Sequence, residues 1–269
     1  PYSDSASIAT DDASAIIQYG LDNEFLERIE HKLGDVVTTD EKTALQMAYV
    51  RNNSLHLFIL PGLICSLVMN ARSISMDTLQ SMVHLLYPFL RNEYYLHWQD
   101  GDDLSQAVSK TVDVLEAEQL ISREDNCLHG APIHTHESDM LDHLGQTVMP
   151  SLERYYLTIR LLVQYGSGML TAEQLGELAH QTAQRLSLLY EFNSPEFFDK
   201  VVLKNFISQL YGTGLVTTDD AGTLVFDEKL ESLDDEARRI LSPDISDAIQ
   251  RVTRVTDIEH LVEPTPSAS

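Results

Sequence analysis

Two histidines in this 269-residue chain stand five positions ahead of an aspartate: His97 with Asp102 in HWQDGD, and His134 with Asp139 in HTHESD. An aspartate at that spacing can orient an imidazole that takes the proton of an acceptor hydroxyl. Neither pair has the setting such chemistry asks for, a strand running into a helix with apolar residues after the aspartate. Both lie in polar segments that read as loops, so the plain reading of all four is solvated loop residues. A second cluster, Cys127, His129, His134, His136, Asp139 and His143, holds the side-chain types that bind zinc, but its spacing fits no established ligand pattern. The plain alternative is an exposed, histidine-bearing loop. No G-x-S-x-G and no glycine loop that could cradle phosphate is present, so the motifs give nucleophilic catalysis no support.

Charge narrows the partners. Forty-two acidic residues against eighteen basic ones give a formal charge of -24, spread along the whole chain. Such a surface repels nucleic-acid phosphates and anionic lipid alike. The two cysteines, Cys65 and Cys127, suit a reducing compartment better than a disulfide framework. The opening PYSDSASIATDDAS has neither the basic nor the apolar region of a signal peptide and reads as linker. The longest apolar stretch, Leu55 to Met69, spans fifteen residues and is interrupted by Pro61-Gly62. It is too short to cross a bilayer and reads as a buried core helix.

The elements that must position these residues follow from pattern. Asp12 caps a short helix, and a small hairpin follows with strands over residues 25–29 and 36–38. From Asp40 the pattern is helical through Leu60, where Pro61 should end or kink it. Ser75 caps a helix with Met76, Leu79, Met82, Val83, Leu86 and Leu90 on one face. Asp103 caps the next, with Leu104, Val108, Val112 and Leu115 inward, and LEAEQLISREDNCLH continues as strand, turn and strand. This is a helix followed by a wing. Some ninety residues on, a helix with Val201, Phe206 and Leu210 leads into a hairpin turning at Asp219-Asp220-Ala221-Gly222. Between the two, Ser138 starts one long helix to Tyr165, Thr171 with Gln174 makes a capping box, and Ser194-Pro195-Glu196 starts a further helix.

The fold class is therefore mainly α, a helical domain with small β-hairpins in which two winged-helix-like units pack together. The expected organisation is a linker at residues 1–10, a first unit at 11–137, a second at 138–255 and a disordered tail at 256–269. Winged helices often read DNA through a basic helix. Here Lys200 and Lys204 are flanked by Glu196 and Asp199, the wing carries Asp219 and Asp220, and the first unit's helix carries Asp113, Glu116 and Glu118. A protein-packing role needs no phosphate contact.

Several strings resemble, in order, the carboxy-terminal region of the PlsB-type bacterial glycerol-3-phosphate acyltransferases. They are PYS at the start, YVRNNSLHLFILPGL at 49–63, LYPFLRNEYYLHW at 86–98, RYYLTIRLL at 154–162, AQRLSLLY at 183–190 and NSPEFFDKVV at 193–202. The resemblance covers residues 1 to 228. It implies a full-length enzyme that moves a fatty acyl group from acyl carrier protein or coenzyme A to the 1-hydroxyl of glycerol 3-phosphate, in phospholipid biosynthesis at the cytoplasmic face of the inner membrane. The catalytic motifs of that family precede the region matched here, so no catalytic residue, cofactor or metal site is carried over. The partner implied is the upstream catalytic domain of the same polypeptide, and no nucleic acid. Packing is the plain role of Arg154, Tyr155, Tyr156, Arg185, Phe197 and Phe198. Arg51, Asn52, Asn53 and His56 are the exception, four polar groups just ahead of an apolar run, and they are the candidate contact with that domain. Two rival readings remain: a winged-helix interaction module without enzymatic activity, and a metal hydrolase using the histidine-rich loop.

A net charge of -24 should keep the chain off nucleic acid. Titrated with duplex DNA at low salt, the chain is expected to show no binding in the micromolar range; binding that weakens steeply with added salt would overturn it.

Overall fold

The computed structural model describes residues 12–71, 73–190 and 199–255, and these hold eleven α-helices and three small antiparallel sheets. The expected linker at 1–10, the tail at 256–269 and the start signal Ser194-Pro195-Glu196 lie outside the described residues. Two compact units divide at Leu60 and Pro61, and both winged-helix-like arrangements fall inside the second.

In the first unit, Asp12 caps helix α1 (Ala13–Asp22) by accepting from the Ser14 amide at 2.9 Å. Strands β1 (Glu27–Ile29) and β2 (Val36–Thr38) form the expected hairpin. The first strand is shorter than expected because the amides of Phe25 and Leu26 turn back to the Gly20 carbonyl and close the end of α1. Asp40 caps α2 (Glu41–Ser54), accepting from the amides of Lys42 and Thr43. Its carboxyl is held below the usual range chiefly by the Thr43 hydroxyl. The helix expected to run through Leu60 stops at Ser54. A 3-10 turn, Leu55–Leu57, follows, and α3 starts at Ile59 and runs to Ala71. The reason is Pro61. Its ring excludes a helical carbonyl four residues back, at Leu57, whereas in the first turn of a new helix its missing N–H costs nothing.

The second unit carries the core. Leu63, Ile64, Cys65, Leu67 and Val68 of α3 are fully or almost fully buried, and burial pushes the Cys65 thiol up to about 12. Strand β3 (Ile74–Ser75) leads into α4 (Met76–Tyr94), which Ser75 caps through the Thr78 amide at 3.1 Å. Leu79, Val83, Leu86 and Leu90 point inward as the spacing predicts, joined by Tyr87 and Phe89. Helix α5 (Asp102–Ala117) buries Leu104, Val108, Val112 and Leu115. Its cap is Gly101 at φ 87, not Asp103, which sits in the first turn and accepts from the Gln99 amide at 2.6 Å.

The first wing is β4 (Ile121–Glu124) and β5 (Cys127–Gly130), joined by Asp125 and Asn126, both left-handed as a two-residue hairpin turn requires. Strand β5 also pairs with β3, giving the order β3-β5-β4. The succession α3, β3, α4, α5, β4, β5 is thus a winged helix with its short first strand in place.

The one long helix expected from Ser138 to Tyr165 is two. Helix α6 (His136–Gln146) is capped by Thr135, which accepts from the Ser138 amide, and α7 (Met149–Tyr165) restarts after Thr147-Val148. Pro150 imposes the break for the reason Pro61 does. Thr171 and Gln174 then cap α8 (Ala172–Tyr190) reciprocally, at 2.9 and 3.2 Å. Helix α9 (Lys200–Gly212) is capped by Asp199. Phe206 and Leu210 are buried in it as expected, but Val201, in its first turn, is exposed. The second wing is β6 (Val216–Thr218) with β7 (Leu224–Phe226), whose turn is tied by the Asp219 carboxylate to the amides of Ala221 and Thr223. Residue Thr171 bridges Thr223, and Leu170 accepts from the Leu224 amide, so α7, this short segment, α8, α9 and the wing repeat the topology of the first arrangement. Helices α10 (Glu228–Ile240) and α11 (Pro243–Val255) pack on α7, and twelve of the 17 residues of α7 are buried.

Gly62 shows how tightly α3 is seated. A Cβ there would collide with the Thr147 hydroxyl and stand 2.6 Å from the Leu144 carbonyl oxygen. Gly62→Ala is expected to lower stability by about 1–3 kcal/mol, read as a shift of the urea unfolding midpoint. An unchanged midpoint would show that this contact relaxes freely.

Candidate functional site

Helices α4 and α7 meet through charge. The Arg154 guanidinium, on the second turn of α7 and 3 % exposed, contacts Glu93 Oε1 at 2.5 Å, near the end of α4. Ser151 Oγ donates to the same oxygen at 2.6 Å, and Tyr155 OH donates to Oε2 at 2.7 Å. Arg154 also donates to Ser151 Oγ at 2.9 Å. Since the Ser151 hydroxyl spends its single proton on Glu93, Tyr94 OH, 2.8 Å away, is the donor of that bond. Glu93 thus accepts from three side chains, which offsets the cost of burying a carboxylate. Burial raises the tyrosines: Tyr94 goes to about 12, and Tyr155, also beside the Glu93 charge, goes well above its usual value.

The Tyr155 ring stacks on Phe206 of α9 at 4.3 Å and 11°, and Phe89 of α4 lies 5.8 Å from Tyr155 and 5.3 Å from Phe206. This cluster ties the two winged-helix arrangements together. A cavity of about 20 Å³ lies beside it among Leu86, Leu152, Tyr156, Leu233 and Leu241, room for a single water-sized sphere. On the outer side of α7, Arg160 pairs with Asp234 of α10 at 2.8 Å, and Gln250 of α11 donates to Tyr156 OH at 3.0 Å. Packing is therefore what Arg154, Tyr155 and Tyr156 do, as their sequence context predicts. Phe197 and Phe198 lie outside the described residues, and Arg185 is exposed on α8. Glu93 went unnoticed in the sequence: a lone acid near a helix end carries no local mark of a partner sixty-one residues away.

Arg51, Asn52, Asn53 and His56 occupy the end of α2 and the 3-10 turn, within the first unit. Arg51 and Asn53 are exposed, and Asn52 and His56 are half-buried. The Arg51 guanidinium donates to Asn52 Oδ1 at 3.1 Å, and its carbonyl accepts from Ser54 Oγ. The four residues of the two His–Asp pairs are exposed as expected, but both aspartates stand on helices, and of the second cluster Cys127 and His129 lie on β5 and His136 and His143 on α6 rather than in a loop. His97 packs its ring on Trp98 at 4.3 Å, Asp102 opens α5, His134 sits exposed at φ 68, and the Asp139 carbonyl is 2.6 Å from His143 Nδ1. Among the described residues, no three His, Cys, Asp or Glu side chains are grouped to hold a metal ion, so Cys127, His129, His134, His136, Asp139 and His143 do not form a site.

The fold is a mainly helical domain in which two winged-helix-like arrangements share a buried network, and it brings neither expected His–Asp pair together as a catalytic unit. The chain matches the family model described as glycerol-3-phosphate acyltransferase C-terminal region over residues 1–219, and it belongs to that family. It is 34% identical over 268 residues to a glycerol-3-phosphate acyltransferase of Xanthomonas campestris pv. campestris, covering 98% of this chain and 30% of the relative. A glycerol-3-phosphate acyltransferase of Pseudomonas fluorescens is 35% identical over 271 residues, covering 99% of this chain and 32% of the relative. The chain spans about a third of the length of the relatives it matches.

Next to the network stands a second acid of the opposite character. Glu153 is 7 % exposed, and burial pushes its carboxyl up to about 8 against a partial offset from the Arg154 charge. Because its pKa is raised on folding, its contribution to stability is complete below the ordinary value of 4.5 and is lost as pH rises through 8. In thermal melts from about pH 5 to about pH 9, Glu153→Gln is expected to flatten the decline and to melt several degrees above the parent at the alkaline end. Parallel curves would refute the assignment.

Proposed function

We propose that this chain is the carboxy-terminal part of a glycerol-3-phosphate 1-O-acyltransferase and does not itself carry out the acyl transfer. In the whole protein a preceding domain transfers the fatty acyl group from acyl carrier protein or acyl-coenzyme A to glycerol 3-phosphate, for phospholipid biosynthesis at the cytoplasmic face of the bacterial inner membrane. The observation that carries this reading is that relatives bearing that activity in their name match nearly all of this chain with about a third of their own length. Among the described residues, no single helix is long and apolar enough to cross a membrane. Like charge disfavours docking of the acidic carrier protein on this surface as a whole. Its role is to hold and complete the catalytic domain, and the polar cluster Arg51, Asn52, Asn53 and His56 faces that domain.

The exposure of Arg51 and Asn53 supports an external partner rather than an internal core network. The 269-residue chain is expected to show no acyl transfer with glycerol 3-phosphate and acyl-coenzyme A; turnover lost in His97→Ala or His134→Ala would defeat that expectation. Arg51→Ala and Asn53→Ala are expected to leave the melting temperature of the 269-residue chain nearly unchanged. In the full-length enzyme the same changes reduce activity or stability, at about 1–3 kcal/mol per lost buried partner. A strongly destabilised chain, with full-length activity falling only in proportion to folded protein, would return the cluster to ordinary packing.

A further inference from the structure

Midway along α4, His84 faces the loop that joins α4 to α5. That loop is pinned at several points: Tyr87 OH donates to the Trp98 carbonyl at 3.0 Å, Arg91 donates to Gln99 Oε1 at 3.3 Å, and the Gln99 amide bonds Asp103. Asp100 is held by the Gly101 amide through Oδ1 at 3.0 Å, and the same oxygen stands 2.8 Å from His84 Nδ1. The other ring nitrogen, Nε2, is 2.9 Å from Ser105 Oγ in the first turns of α5. A carboxylate accepts only, so the proton of neutral His84 belongs on Nδ1, and Nε2 is left to accept from the serine hydroxyl. Asp100 is correspondingly kept below the ordinary range, first by its bond to His84.

Nucleophile, base and orienting acid are thus bonded in the order that acyl transfer uses. Ser105 also lines an open groove of about 330 Å³ between α4 and α5, with Gln80, Gln106, Ser109, Lys110 and Asp113. Gln80, Gln106 and Lys110 are the hydrogen-bond donors among the side chains that line it, and the Gln80 amide donates to Ser109 Oγ at 3.4 Å. Asp102 and Asp113 line the same groove and oppose an anionic substrate, while the absence of an apolar wall among the lining residues gives a long acyl chain nothing to bind.

We propose that Ser105, His84 and Asp100 form a hydrolytic site for short, uncharged acyl esters, separate from the acyl transfer assigned to the whole protein. Ser105 Oγ bonds to the acyl carbon while its proton passes to His84 Nε2. The ester C–O bond then breaks, and the leaving alkoxide takes that proton. Water repeats the sequence on the acyl-serine, releasing the carboxylic acid and restoring the hydroxyl. Nothing in the sequence announced the trio, because its serine lies outside any nucleophile motif and its histidine precedes it by twenty-one residues.

The test uses the 269-residue chain with p-nitrophenyl acetate and, separately, a fluorophosphonate probe read by mass spectrometry. A stoichiometric burst of p-nitrophenolate and a label on the Ser105 peptide are expected. Ser105→Ala abolishes both. Asp100→Asn, at a mostly exposed position and so harmless to folding, lowers the rate by about 10²–10⁴-fold. A chain that takes no label at Ser105, or whose ester turnover is the same in Ser105→Ala and Asp100→Asn, overturns the proposal and leaves the three side chains as a clamp on the loop.

Discussion

A glutamate and an arginine that both leave water on folding set the terms for the rest of this protein. Charges in that position are costly unless each is matched, and a buried pair broken at one partner loses about 3–5 kcal/mol. Glu93 and Arg154 meet the condition through Ser151, Tyr155 and Tyr94, so α4 and α7 have one register in which these bonds form together. The Tyr155 ring then carries that register outward, onto Phe206 and Phe89. One polar contact thus fixes how the two winged-helix arrangements dock.

The wings themselves illustrate how a shape can be kept without the function most often attached to it. Both arrangements have the helix order of a winged helix, the first with three paired strands and the second with two and a single bridge, yet the helices and turns that would approach a nucleic acid carry carboxylates. In this chain the topology serves packing. Helix α7 acts both as first helix of the second arrangement and as the floor for α10 and α11, which explains why it is buried on almost every side. Its polar residues are resolved by partners on different elements: Arg154 by α4, Arg160 by α10, and Gln164 by the Thr253 carbonyl of α11.

Membership of the acyltransferase carboxy-terminal family agrees with this economy of function. Strings that resemble the family, at 86–98 and 154–162, are the two segments joined by the Glu93 network and the aromatic cluster, so the segments that mark the family also hold the core together. Around residues 51–56 the polar groups stand differently: Arg51 and Asn53 are exposed, and Asn52 and His56 are half-buried.

Much of the secondary structure was legible in the sequence because its causes are local. Asp12, Asp40, Ser75 and the Thr171–Gln174 pair cap their helices through amides two or three residues on, and the turn residues of both wings act on their own backbone. The three- and four-residue spacing gave the buried face of α5 and most of that of α4, where Met76 and Met82 are only half-buried and Tyr87 and Phe89 join the core. Where the reading failed, part of the signal was present: Pro61 and Pro150 forbid a helical carbonyl four residues earlier, which moves each break upstream of the proline. Other features had no local sign. That Val201 faces water, that Gly62 admits the backbone of residues 144–147, and that Glu93 belongs to Arg154 or His84 to Asp100 and Ser105 are settled only when distant helices meet. Capping and turn chemistry act within a few residues and so are written in the order of the chain; burial and the pairing of charges depend on which surfaces touch, and only the tertiary structure decides that.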